Sequence, residues 1–216
     1  MISVKKFIFN PFQVNAYVLY DETGECIFID PAVSDEKEFN TLTGFVKENN
    51  LIPKMIVNTH AHIDHIIGNY DVASRYKIKL ATHPDAEGFL TNALKTAEAF
   101  GLPMSHVKEI DIYIDGNTKV KFGDSCIKAL HTPGHADGSI CLYSEKDSFV
   151  VTGDVLFYES IGRTDLQTGN YDLLQKSIWE ELFTLPDDTK VYPGHGPDTT
   201  IGHEKTHNPF VAIGME

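Results

Sequence analysis

Short runs of β-branched and aromatic residues recur along the chain: VKKFIFN, NAYVLYD, CIFIDP, KMIVNTH, IKLATH, TKVKFG, CIKALHT, SICLYS, FVVTGD and KVYPGH. Runs of this composition, punctuated by Gly, Pro, Asn and Asp, predict strands. Between some of them the apolar positions return at helical spacing, in SDEKEFNTLTGFVKENN, DHIIGNYDVASRYK, PDAEGFLTNALKTAEAF and NYDLLQKSIWEELFTL. Ser34 is placed to cap the first of these, with Lys37 where a capping box wants Glu or Gln. In the last, Trp179, Leu182 and Phe183 read as core. Two segments echo each other: YVLYDETGECIFID and ICLYSEKDSFVVTGD are both strand–turn–strand units that end on aspartate. Two similar halves, each a sheet with helices on one side, would make a four-layer α/β sandwich. No linker or low-complexity segment divides the chain, so one domain over 1–216 is expected.

Composition narrows the function classes. The formal charge of −13, with ten histidines counted as neutral, argues against a nucleic-acid surface, which needs clustered Lys and Arg. No apolar run approaches the about 18 residues of a membrane span. The opening MISVKKFIFNPFQVN lacks the apolar core and small-residue cleavage site of a signal peptide, so the expected location is the cytoplasm. The three cysteines, Cys26, Cys126 and Cys141, form no CxxC pair and lie in strand-like stretches, where they read as small buried hydrophobes.

Two histidine clusters compete for the chemistry. His203-Glu204-Lys205-Thr206-His207 has the letters of the HExxH zinc-protease signature. Pro209 ends any helix just after it, few residues remain to supply a third ligand, and Phe210 stands where the extended motif needs glycine. The other cluster, His60-Ala61-His62-Ile63-Asp64-His65, spans the turn from the KMIVN strand into a helical pattern. In extended backbone, residues two apart point the same way, so His60 and His62 can converge on one metal. Asp64 and His65 then project from the opening helical turn toward a second position. Three more candidates, His135, Asp154 and His195, each follow a strand-like run and a glycine. Seven candidates at strand ends suffice for two adjacent metals sharing one carboxylate.

At this point the sequence resembles the metallo-β-lactamase superfamily. His60–His65 match its H-x-H-x-D-H motif, and His135, Asp154 and His195 its later His, Asp and His. The resemblance implies an αβ/βα sandwich of two mixed sheets flanked by helices, with the site at one edge. It also implies the ligand sets: His60, His62 and His135 for one metal, Asp64, His65 and His195 for the other, and Asp154 bridging both. True β-lactamases usually carry cysteine or serine at the position of Asp154. GDVLFYESIGRTDLQTGN and YPGHGPDTTIGHEKTHNPF instead resemble compact relatives of glyoxalase II, in which the tail histidines are not ligands. The expected activity is therefore hydrolysis of a small-molecule thioester of the S-lactoylglutathione type. Two divalent ions, zinc or alternatively iron or manganese, would generate the hydroxide, and Asp64 would orient it. The competing expectation is a persulfide dioxygenase with one iron, because the loop of those relatives also carries Gly-Arg-Thr-Asp. Neither reading expects a nucleic-acid or membrane partner.

Residues outside the ligand set carry weaker signals. Arg163 is the one cation in the loop after Asp154 and reads as an anion contact or as solvated surface. Asp30 reads either as a support that fixes a histidine tautomer or as a plain Asp-Pro turn. His83 reads as a cap and His106 as a loop residue.

Overall fold

The computed structural model describes residues 1–211; residues 212–216, the end of the expected domain, lie outside the described residues. The first half contains β1 (Ser3–Phe9), β2 (Val14–Tyr20), β3 (Glu25–Ile29), α1 (Glu36–Glu48), β4 (Ile52–Val57), α2 (Ile63–Ile66) and α3 (Asn69–Tyr76). It continues through β5 (Lys79–Thr82), a 3-10 turn (Pro84–Ala86), α4 (Glu87–Ala99) and β6 (Ile112–Tyr113). The second half contains β7 (Lys119–Phe122), β8 (Ser125–His131), β9 (Ile140–Ser144), β10 (Phe149–Gly153), and the ribbon of β11 (Leu156–Phe157) with β12 (Ser160–Ile161). It closes with α5 (Tyr171–Ser177), a π turn (Ile178–Leu182), β13 (Lys190–Pro193), β14 (Thr199–Thr200) and α6 (Ile201–His207).

The strands form two mixed six-stranded sheets, ordered β1-β2-β3-β4-β5-β6 and β14-β13-β10-β9-β8-β7. In the first, β1, β2 and β3 run antiparallel and β3 to β6 run parallel. The second repeats the device: an antiparallel β9–β10 hairpin followed by a parallel β10–β13 pair. Side chains alternate across each strand and so serve two different layers. Tyr17, Leu19, Ile27 and Ile29 meet Ile127, Ile140, Leu142 and Val151 between the sheets. Their neighbours Val18, Cys26 and Phe28 turn outward under Leu42, Val46 and Val72 of α1 and α3. On the far side Cys141, Val150 and Val191 lie under Leu174, Ile178 and Leu182. The result is the expected helix–sheet–sheet–helix sandwich. Among the described residues no helix is long and apolar enough to cross a membrane.

Several local expectations shift. The cap of α1 is Asp35, one residue beyond Ser34, and its side chain accepts from the Glu38 amide at 2.8 Å. Glu38 then reaches back to the amide and hydroxyl of Ser34, so a carboxylate completes the box that Lys37 could not. Cys126 is exposed, not buried, because it lies on the outward face of β8 beside Lys128 while Ile127 and Ala129 face the core. Trp179 is 45 % exposed. The π turn puts an extra residue into the helix, which moves the buried stripe to Ile178, Leu182 and Phe183. The Trp179 indole instead donates to the Val211 carbonyl at 2.9 Å.

The second helical pattern is broken in two at Gly68. A Cβ there would lie 1.9 Å from the Pro31 carbonyl oxygen. This contact seats the α2–α3 pair on the turn that follows β3 and fixes α2 over the sheet edge. Gly68→Ala should therefore lower the urea midpoint of unfolding by the equivalent of about 1–3 kcal/mol, the usual cost of overpacking. An unchanged midpoint would show that the α2–α3 junction can move aside.

Candidate metal centre

Four segments bring the predicted ligands to one edge of the sandwich. The segment after β4 supplies His60 and His62, then Asp64 and His65 from α2. The β8–β9 loop supplies His135, and Asp154 and His195 follow β10 and β13. His62, just before α2, is extended, with φ −64° and ψ 148°. The rings of His60 and His62 accordingly turn to the same side, with centroids 4.8 Å apart. The donor atoms of His60, His62 and His135 gather within 4.8 Å of one another, and so do those of Asp64, His65 and His195. Asp154 lies between the two groups, 3.6 Å from His135 Nε2, 3.4 Å from His65 Nε2 and 3.5 Å from His195 Nε2. Gly194 makes this approach feasible, since a Cβ there would stand 2.1 Å from Asp154 Oδ1.

Hydrogen bonds behind the rings decide where the imidazole protons sit. Asp30 Oδ2 accepts from the Thr59 hydroxyl at 2.6 Å, so Thr59 Oγ1 is left to accept from His60 Nδ1 at 3.1 Å. The same carboxylate accepts from His65 Nδ1 at 3.0 Å. His135 Nδ1 donates to the Arg163 carbonyl at 2.8 Å, and His195 Nδ1 to the Phe12 carbonyl at 3.0 Å. With Nδ1 engaged, each of these four rings turns Nε2 to the centre. His62 is reversed and presents Nδ1, 2.9 Å from His135 Nε2. His65 Nε2 and His195 Nε2 face each other at 3.3 Å. Ring nitrogens gathered this closely can share protons among themselves or together hold a cation. His60 Nε2 and Asp154 Oδ1 are moreover buried with no hydrogen-bond partner. The donor set and its orphaned atoms fit two metal ions: nitrogen and carboxylate ligands, pre-aimed and partly dehydrated.

The two groups differ in their hold on protons. Burial, aided by the neighbouring imidazoles, keeps His60 well below the usual histidine value and pushes His62 down to about 4; burial lowers His135 as well. Burial also opposes charge on His65 and His195, but there the carboxylates of Asp154 and Asp64 outweigh it. They lift His65 well above its ordinary value and His195 to about 9. Burial likewise favours the neutral form of Asp154, yet His65 and His195 hold it well below the usual carboxylate range.

The structure places the remaining candidates as follows. Asp30, at φ 46°, has its carboxylate under Thr59 and His65 and is thus a support of the centre as well as a turn residue. Arg163 lines the cleft, but its guanidinium is forked onto Asp165, with Nε–Oδ1 at 2.8 Å and Nη2–Oδ2 at 2.7 Å. His83 caps the 3-10 turn and stacks on His131, and His106 stacks on Tyr70. The HExxH residues lie on α6, outside both ligand groups. Glu204 is buried and accepts from Thr199, the Glu159 amide and Asn208, while His203 and His207 stack on each other at the surface. That glutamate is structural.

Sequence reasoning missed several supports. Asn10 holds the Asp64 and Ala32 carbonyls, and Asn15 holds those of Pro193 and Gly196, on either side of His195. A buried asparagine within the apolar NAYVLY run was the available signal for Asn15. The Phe12 and Arg163 carbonyls left no such trace, because every residue has one.

Comparison with known proteins agrees with this geometry. The family model of the metallo-beta-lactamase superfamily matches residues 9–195. The hydroxyacylglutathione hydrolase GloC of Haemophilus influenzae is 33% identical over 202 residues, covering 93% of this chain and 93% of that protein. Among solved structures, the BLEG-1 B3 metallo-beta-lactamase superposes with a TM-score of 0.89 at 36% identity, covering 97% of this chain and 99% of that one. TTHA1623 in a di-iron-bound form superposes with a TM-score of 0.84 at 33% identity, covering 96% and 100%.

Proton linkage follows from the two protonation regimes. A protonated imidazole cannot ligate, so below about pH 9, where His195 titrates, an ion entering the Asp64, His65 and His195 group must displace a proton. Zinc affinity there should rise from pH 7 and level off above that point, with at least one proton released. Affinity at the group of His60, His62 and His135, already unprotonated, should change little over the same range. Calorimetric titration of the apo protein in buffers of different ionisation enthalpy measures both; equal proton release in the two steps would contradict the assignment. A second expectation concerns Asp30→Asn, which replaces an acceptor of four hydrogen bonds with a group that is half donor. It should weaken zinc binding about 10–100-fold by competitive chelation, the range for loss of a ligand's support.

Proposed function

The chain belongs to the metallo-β-lactamase superfamily, and from that premise we propose that it is a dinuclear metal-dependent hydrolase of thioesters, with a 2-hydroxyacyl group as the acyl half. One observation carries the reading: Asp154 lies between two complete three-residue donor groups, so two ions would be held side by side. His60, His62 and His135 would hold one, Asp64, His65 and His195 the other, and Asp154 both. Histidine and carboxylate donors accept zinc, iron or manganese, and zinc is the ion we favour. When bound, the pair supplies Lewis acidity and an activated water at neutral pH.

The chain's own residues do the rest. Asp64 is the more exposed of the two carboxylates and opens onto the cleft, so it is placed to orient the attacking water and hold its proton. Asp154 is slightly less exposed and stands between the two donor groups; its part is to hold the two halves together. A thiolate leaves readily without a proton donor, which matches a centre whose titratable groups are all committed to ligation. The likeness to a hydroxyacylglutathione hydrolase supports thioesters, and the likeness to a structure titled a B3 metallo-beta-lactamase supports acyl hydrolysis more broadly. The Gly162-Arg163-Thr164-Asp165 loop keeps the persulfide dioxygenase as the second reading.

Elemental analysis of purified protein, alongside a panel of acyl thioesters, a β-lactam and glutathione persulfide, tests the proposal. Two metal equivalents and thioester turnover are expected. Asp154→Ala and Asp64→Ala should each reduce kcat by about a thousandfold while circular dichroism stays unchanged. Oxygen consumption with the persulfide, one iron per chain and no thioesterase activity would replace the hydrolase with the dioxygenase.

A further inference from the structure

A cleft of about 660 Å³ opens over the metal-facing atoms, a size that accommodates a drug-sized ligand. A three-carbon hydroxyacyl group fills a small part of it, so most of the space must receive the thiol arm. Its wall is apolar where it leaves the centre. Phe89 of α4 stands edge-on to His62 at 5.3 Å, and Phe12 and Phe100 meet edge to face at 6.0 Å across the mouth. Phe100 is 58 % exposed and Leu166 38 %. Apolar side chains gathered at the rim of a cleft form a surface that the apolar part of a ligand can cover.

The charges point the same way. Among the described residues Arg163 is the single Lys or Arg in the cleft lining, and Asp165 already occupies its guanidinium in a two-pronged pair. Asp165 takes two of the five guanidinium donors and offsets its charge, so a substrate carboxylate arriving there meets a neutralised pair and gains less than at a free arginine. Asp85 and Asp137 line the same cleft and repel anions. Asn92, Thr96 and Gln167 offer only neutral hydrogen bonds.

The geometry points to thioesters whose thiol arm is apolar and free of anionic charge as the substrate class of this site, in place of the anionic glutathione arm. The inference rests on the thioester reading above. It is tested by giving the zinc-loaded enzyme one acyl group, lactoyl, on four thiols: benzyl mercaptan, N-acetylcysteamine, glutathione and coenzyme A. The benzyl thioester should exceed the glutathione thioester in kcat/KM by about tenfold or more, chiefly through KM, with coenzyme A lowest. Phe89→Ala and Phe100→Ala should lower kcat/KM for the benzyl arm about fivefold more than for the glutathione arm, chiefly through KM. Asp165→Asn, which frees Arg163, should narrow the gap between the benzyl and glutathione arms. Hydrolysis with glutathione or coenzyme A preferred, or a gap that Asp165→Asn leaves unchanged, overturns the inference and leaves the thioesterase standing. Hydrolysis of none of the four overturns both.

Discussion

Imidazole nitrogens crowd together in pairs at 2.9 and 3.3 Å, and that crowding is the constraint on which the rest of the site depends. Left to themselves, the rings would rotate away or take up protons. They are held by what lies behind them: one carboxylate, Asp30, for His65 and through Thr59 for His60, and two backbone carbonyls for His135 and His195. Each support sits in a different part of the chain, so the centre exists only when both sheets are in register with each other. A positive charge between the rings would satisfy the nitrogens that the fold crowds together. Metal binding would therefore be linked to the folded state that gathers these donors.

The two halves solve the same problem with the same parts. In each, a hairpin leads to a strand that ends on an aspartate, and the next parallel strand ends on a histidine-bearing turn. In the first half these are Asp30 and His60; in the second they are Asp154 and His195. The halves have diverged in what the aspartate does. Asp30 turns beneath the rings and accepts hydrogen bonds from behind them, whereas Asp154, with Gly194 making room, turns among them. A single geometric difference thus separates a carboxylate that supports the rings from one that stands among them. The echo between the two hairpins in the sequence was the trace of this arrangement.

How much was legible follows from which atoms carry the information. Ligand side chains are rare residue types at strand ends, so His60, His62, Asp64, His65, His135, Asp154 and His195 stood out, and the structure brings all seven together. The ten strand-like runs each became a strand, because alternate apolar positions must be buried in either sheet. The two-residue strands β6, β11, β12 and β14 are too short to impose a pattern. The break at Gly68 and the π turn were hidden inside segments that are helically periodic on both sides. The fork between Arg163 and Asp165 depends on how the loop curls, which two residues of opposite charge do not determine. The HExxH letters misled for a complementary reason: a motif specifies side chains but not what faces them, and Glu204 faces Thr199 and Asn208 instead of a metal site.

Phe12 and Arg163 connect the two functions of the site. The carbonyl of each accepts from a ligand histidine while its side chain lines the cleft. Ligand support is therefore carried by an atom that any residue possesses, and recognition by one that varies. Substitution at either position changes what the cleft accepts without removing the acceptor that fixes the tautomer of His195 or His135. The candidate ligands stand just after strands, in the opening turn of α2 and in the β8–β9 loop, while α4 and the loop after β12 supply much of the wall. A centre built this way could keep its donor set constant while the cleft is remodelled around it, so substrate choice is to be read from the wall and not from the donors.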